Sequence, residues 1–260
     1  VNIVVFGANG PTGRLVVRLA LERGHAVTAV TRNPGFFPFG DARLRVVAGD
    51  VLEPETIRPL LAGQDAVLSA LGVPYSKEEI ATYSSGGRSM IDAMHEHGVR
   101  RLVCVSSSAV DLAAGPHGGF FFERVLQPFV TNVLGKTLYD DMKRMERIVV
   151  ASDIDWTVMR PSGLFDADAV SDYRAAERYV PQKFTSRIDL ADAMVRQLDD
   201  RGFVRTTVAV GTVAGTPSVA QLMMREAFKR PPRPAEPGAP AVESRGGAAS
   251  RSATGKEATE

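Results

Sequence analysis

Val1-Asn2-Ile3-Val4-Val5-Phe6 runs without a break into Gly7-Ala8-Asn9-Gly10-Pro11-Thr12-Gly13. The first stretch is a short apolar run of the kind that forms a strand covered on both faces. After the glycines, Leu15, Val16, Leu19 and Ala20 recur at the spacing of one helix face. A strand that enters a glycine turn and then a helix builds an anion site. The glycines let the backbone turn tightly and approach a pyrophosphate, and the helix N-terminus offers free N–H groups and the positive end of its dipole. Three glycines spaced Gly-x-x-Gly-x-x-Gly are a weak signal alone, since any tight turn uses glycine for positive φ. Their place between a strand and a helix is what points to a dinucleotide.

Working outward, strand-like and helix-like segments alternate. Strands are expected at 2–6, 26–31, 44–48, 66–71, 101–106, 155–160 and 206–210. Helices are expected near 12–24, 54–62, 77–97, 119–134, 136–152, 188–200 and 217–229. Apolar runs such as Ala66–Leu71 and Leu102–Val105 read as strands buried on both sides. The alternation predicts an α/β chain: a doubly wound Rossmann fold with a parallel sheet in the order 3-2-1-4-5-6. Ligand is expected at the carboxyl ends of the strands, with a small substrate-side region near the C-terminus.

The 260 residues are 44% hydrophobic and 23% charged, enough for a substantial core in one domain over 1–230. Residues 231–260 are rich in Pro, Ala, Gly, Ser and charge and are read as a disordered tail. The net charge of +1 implies neither a nucleic-acid nor a membrane partner, and a monomer or homodimer acting on a small molecule is expected. Cys104 is the single cysteine and reads as a small buried hydrophobe. No apolar stretch reaches the roughly 18 residues of a membrane span. The N-terminal apolar run is short, lacks a basic flank and enters the glycine turn, so no secretory leader is expected and a cytoplasmic protein is the simplest reading. The four histidines show no metal-ligand spacing, and no Gly-x-Ser-x-Gly elbow is present.

Further candidates lie at successive strand ends. The second strand ends at Arg32, where an NAD site usually places Asp or Glu. A guanidinium fits a 2′-phosphate and favours NADPH over NADH; a merely solvated arginine is the alternative. The third ends at Asp50-Val51, which can accept from the adenine amino group and flank its ring, or where Asp50 can cap the helix beginning near Pro54. The fourth ends at Ala70-Leu71-Gly72, small enough for a cofactor backbone to pass closely, or an ordinary turn. The fifth ends in serines, of which Ser107 could hold a substrate carbonyl or a carboxamide; serines also end strands for plain turn reasons. Tyr139 and Lys143 are four apart, so they share a helix face on which an ammonium can lower a phenol's pKa for general-acid work. The sixth strand is expected to break at Pro161, leaving Pro161 and Ser162 to meet the edge of a nicotinamide. Gly119–Leu134 carries a wide apolar helical face, read as core packing or as a lid over an apolar substrate pocket.

Together these motifs resemble the atypical short-chain dehydrogenase/reductase family of NAD(P)H-binding proteins, whose relatives include biliverdin-IXβ/flavin reductases and nitrogen-metabolite-repressor-type redox sensors. The resemblance covers roughly residues 1–215. Gly7 to Gly13 is similar to that family's glycine loop. Lys143-Arg144-Met145-Glu146 and Asp155 to Pro161 resemble its Lys/Glu helix and strand-six Arg-Pro, and Ser186 to Ala191 the opening of its late helix. The resemblance implies an NADPH-dependent oxidoreductase passing hydride to a flavin, quinone or carbonyl. The alternatives are a non-catalytic NADP(H) sensor that reports to a protein partner and an enzyme of nucleotide-sugar epimerase or dehydratase type.

Overall fold

The computed structural model describes residues 1–115 and 135–216; the helices expected at 119–134 and 217–229 and the 231–260 tail lie outside them. The described chain runs β1 (Asn2–Phe6), α1 (Pro11–Glu22), β2 (Ala26–Thr31), β3 (Leu44–Ala48), α2 (Pro54–Ile57), β4 (Ala66–Ser69), α3 (Thr82–His97) and β5 (Arg101–Val105). It continues with α4 (Lys136–Val150), β6 (Asp155–Pro161), β7 (Gly163–Phe165), β8 (Tyr173–Glu177), β9 (Phe184–Ser186), α5 (Arg187–Arg196) and β10 (Thr206–Thr212).

Among the described residues, eight strands form one sheet in the order β3-β2-β1-β4-β5-β6-β10-β8, and β7 and β9 form a small parallel pair. The expected six-strand order is present, extended by a parallel β10 and an antiparallel β8. The pleat explains the unbroken apolar runs. Val4, Phe6 and Val67 pack with α3 and α4, while Ile3, Val5 and Leu68 pack with α1 and α5. Each strand must be apolar on both sides because helices cover both sides. This is a doubly wound Rossmann-type α/β fold, and its carboxyl edge collects the ends of β1, β2, β4, β5 and β6.

Several boundaries differ from the sequence expectation for visible reasons. The helix expected over 77–97 begins only at Thr82. Its start is set by α4: the buried Asp141 carboxylate accepts from Tyr83 N at 2.8 Å and from the Ser84 amide and hydroxyl. Arg144 donates to Ile80 O at 2.8 Å and Thr137 to Ser76 O at 2.7 Å, holding the preceding segment as a loop. The helix expected over 54–62 is α2 followed by a 3-10 turn over Arg58–Leu61, broken where Pro59 supplies no N–H. The strand expected at 66–71 leaves the sheet after Ser69. The break expected at Pro161 falls one residue later, because Pro161 still pairs in register with Val210. The three short strands β7, β8 and β9 were not anticipated.

Candidate dinucleotide and catalytic site

The turn after β1 is built for close approach. Gly7 has φ +70°, and a methyl group there would lie 2.6 Å from Ala70 O. A methyl at Gly13 would lie 2.1 Å from Gly7 O. Gly10 N donates to Gly7 O at 3.0 Å and closes the turn, and Asn9 Oδ1 accepts from Arg14 Nε at 2.9 Å to fix its outer limb. Pro11 opens α1 and Thr12 is half-buried behind it. Among the described residues no side chain caps this helix, and its first turn carries no acid. Its N-terminal amides therefore remain available to an anion, and the glycine cradle fits the pyrophosphate of a dinucleotide.

The neighbouring strand ends border this cradle. Arg32, just beyond β2, is exposed and forms no ion pair among the described residues. Asp50 Oδ1 accepts from Leu52 N at 3.0 Å, an Asx turn that leaves Oδ2 without a partner among the described residues. The alternative role for Asp50 is corrected: the cap position of α2 is Glu53. Val51 is buried, and its Cγ2 occupies the space a methyl at Gly86 would need. Ala70 N donates to Phe6 O at 3.0 Å, and Leu71 and Gly72 follow, with open space where a Gly72 side chain would stand.

On the other half of the edge, Ser107 follows β5. Its Oγ accepts from Ala109 N at 3.2 Å, and its own proton has no acceptor among the described residues. Ser106 beside it is buried, with its hydroxyl unpartnered among the described residues. Ser162 is less available than expected, since its N–H donates to Thr185 Oγ1 and its hydroxyl to Gln182 O, each at 3.0 Å.

The expected activation of Tyr139 by Lys143 is not what the structure shows. Lys143 is exposed and its ammonium lies 3.8 Å from Asp140 Oδ1. The Tyr139 hydroxyl instead pairs with that of Tyr75 at 3.1 Å. Burial, and then the Tyr75 phenol, push Tyr139 up from the usual phenol range rather than down.

A buried charge cluster joins this half of the edge. Arg160 donates from Nε to Glu146 Oε1 at 3.0 Å and from Nη2 to Glu146 Oε2 at 2.6 Å. Its Nη1 donates to Asp111 Oδ2 at 3.1 Å. Burial alone would lower the guanidinium pKa; hydrogen bonds and charge from Glu146 and Asp111 raise it above its ordinary value. Glu146 and Arg160 entered the sequence reading only within a resemblance, and nothing local marked Asp111, whose partners come from distant segments. Among the described residues no cluster of His, Cys, Asp and Glu could hold a metal, and no helix is long and apolar enough to cross a membrane.

A family model described as NAD(P)H-binding matches residues 7–201, from the glycine turn to just before β10. The chain belongs to the NAD(P)H-binding family. Within it, the chain is similar to an uncharacterized chloroplastic protein of Arabidopsis thaliana, 29% identical over 178 residues, covering 63% of this chain and 59% of that one. It is also similar to photosystem II assembly factor Ycf39 of Guillardia theta, 25% identical over 223 residues, covering 80% of this chain and 63% of that one. The chain thus spans about three-fifths of the length of each of these two relatives. A short-chain dehydrogenase/reductase from Veillonella parvula, solved in complex with NADP, shares the fold with a TM-score of 0.68 at 19% identity. That likeness covers 84% of this chain and 98% of the other.

Proposed function

We propose that this chain is an NADPH-dependent oxidoreductase acting on a small conjugated acceptor such as a flavin, quinone or carbonyl compound. The observation that carries the reading is the pairing of an uncapped α1 N-terminus behind the glycine cradle with an exposed Arg32 that has no ion pair among the described residues. A guanidinium without a carboxylate partner at the end of β2 suits a 2′-phosphate and has no counterpart in a site built for a bare ribose hydroxyl pair.

In this reading the amides at the head of α1 bind the pyrophosphate and Arg32 binds the 2′-phosphate. Asp50 Oδ2 and Val51 border the adenine. When bound, NADPH supplies a hydride. Ser107, whose hydroxyl proton has no acceptor among the described residues, orients the nicotinamide half or the acceptor's oxygen. The Pro161 strand end borders the same place. Tyr139 stays a neutral phenol, so any part it takes is as a hydrogen-bond donor. The test is oxidation of NADPH, followed by loss of reduced-nicotinamide absorbance, against flavin mononucleotide and a panel of small quinones. Saturable turnover that falls in Ser107→Ala supports the reading; no turnover with any acceptor removes it.

A second reading, an NADP(H)-binding sensor that reports to a protein partner, draws support from one observation. The Tyr139 hydroxyl is engaged by Tyr75 and Lys143 by Asp140, so neither forms the activated pair of a carbonyl reductase. Tight NADPH binding without turnover would favour it.

A further inference from the structure

Arg160 ties three segments of the carboxyl edge together. Its own backbone leads directly into Pro161. Its Nε and Nη2 take both oxygens of Glu146, on α4. Its Nη1 reaches Asp111, at the far end of the short turn that begins with Ser107. That turn is rigid between its ends: Ser107 Oγ accepts from Ala109 N, Val110 N donates to Ser107 O at 3.1 Å, and Asp111 N donates to Ser108 O at 3.3 Å. Its other end is pinned by Ser106 N donating to Met159 O at 2.7 Å. Asp111 therefore anchors the far end of the turn whose near end carries Ser107.

We infer that Asp111 is a positioning residue, which through Arg160 sets the Ser107 turn against the Pro161 strand end so that the two hold the nicotinamide half of the dinucleotide. The inference rests on the oxidoreductase reading of the preceding section. The bridge needs an arginine, because a planar fork with donors on both nitrogens and on Nε can serve two carboxylates at once, and an ammonium point charge cannot hold that geometry. The Glu146 pair is buried and accounts for the attachment of β6 to α4. Asp111 is one-quarter exposed, and its loss leaves that pair intact. Arg178 approaches Asp111 only at 3.8 Å from an exposed position and cannot substitute for Arg160.

The experiment compares two ligands by calorimetry: NADP⁺ and adenosine 2′,5′-bisphosphate, which lacks the nicotinamide half. In Asp111→Ala, which leaves Arg160 Nη1 without this acceptor, NADP⁺ should weaken about tenfold, while the bisphosphate changes less than about twofold. Arg160→Lys should give the same split; if it fails to fold, Asp111→Ala decides alone. Equal weakening of both ligands, or no weakening in a folded Asp111→Ala, overturns the inference. A wild-type protein that binds NADP⁺ no better than the bisphosphate would instead overturn the underlying reading, since no nicotinamide contact would exist to be positioned.

Discussion

The hydroxyl of Tyr139 lies 3.1 Å from that of Tyr75, joining the first turn of α4 to the loop that follows β4. Gly135 makes room for both rings: a methyl there would lie 2.7 Å from Tyr139 Cε2 and 2.8 Å from Tyr75 Cε1. With Lys143 held by Asp140, the buried Tyr139 is expected to stay protonated through the physiological range. An ultraviolet titration of phenolate formation should therefore lose no transition below about pH 10, the ordinary tyrosine value, when Tyr139 is changed to Phe. Loss of a transition near neutrality in that variant would show an activated phenol.

Gly13→Ala should damage both folding and binding. The added methyl would meet Gly7 O at 2.1 Å and Ala8 Cα at 2.8 Å, both backbone atoms that cannot rotate aside. Overpacking of this kind costs about 1–3 kcal/mol. Thermal denaturation should show a lowered midpoint, and the remaining folded protein should bind NADPH weakly. An unchanged midpoint would mean that the turn is looser than described.

Asp141→Ala should be among the most destabilising single changes. The carboxylate is fully buried, caps α3 from α4, and lies 3.3 Å from Arg144. Its removal leaves the Tyr83 and Ser84 amides and one side of Arg144 unpaired, a loss of about 3 kcal/mol. Urea unfolding measures it directly, and a change under 1 kcal/mol would refute the cross-helix cap, whose usual weight is about 1 kcal/mol or more.

Stability should decline in acid partly through Asp192. Burial would push this carboxyl up, but hydrogen bonds from Tyr173 and Arg196, with Arg23 nearby, bring it below its ordinary value. A folded-state pKa below the unfolded one contributes stability that is full above the unfolded value, near pH 4, and is lost as pH falls through the folded one. Asp192→Asn should therefore flatten the acid limb of stability against pH. An identical slope in wild type and variant would contradict the assignment.

The sequence was legible where one local pattern decides an element. The β1 run, the glycine turn and the amphipathic α1 follow from apolar spacing and three glycines, and β2 and β3 lie where their apolar residues put them. The late start of α3 was hidden because Ser76 to Ile80 have adequate helix propensity, and only the tertiary contacts of Thr137, Asp141 and Arg144 keep them out of the helix. The short strands β7, β8 and β9 carry too few apolar residues to announce themselves, since pairing with neighbours makes them strands. In the site, the glycine turn and its place ahead of α1 could be read from the sequence, and the structure leaves Arg32 exposed at the end of β2. The partners of Tyr139 could not, because i,i+4 spacing permits a Lys143 contact without selecting it over Tyr75, which lies 64 residues away. Asp111 was invisible for the same reason, as its partner Arg160 is 49 residues away.

The most direct test of the account is the affinity of the protein for NADPH and for NADH, measured by calorimetry in wild type and in Arg32→Ala. The account predicts that wild type prefers NADPH and that Arg32→Ala loses about tenfold or more of NADPH affinity, the weight of a charge-assisted phosphate contact, with NADH unchanged. Equal affinity for the two cofactors in wild type, unaltered in Arg32→Ala, would contradict it.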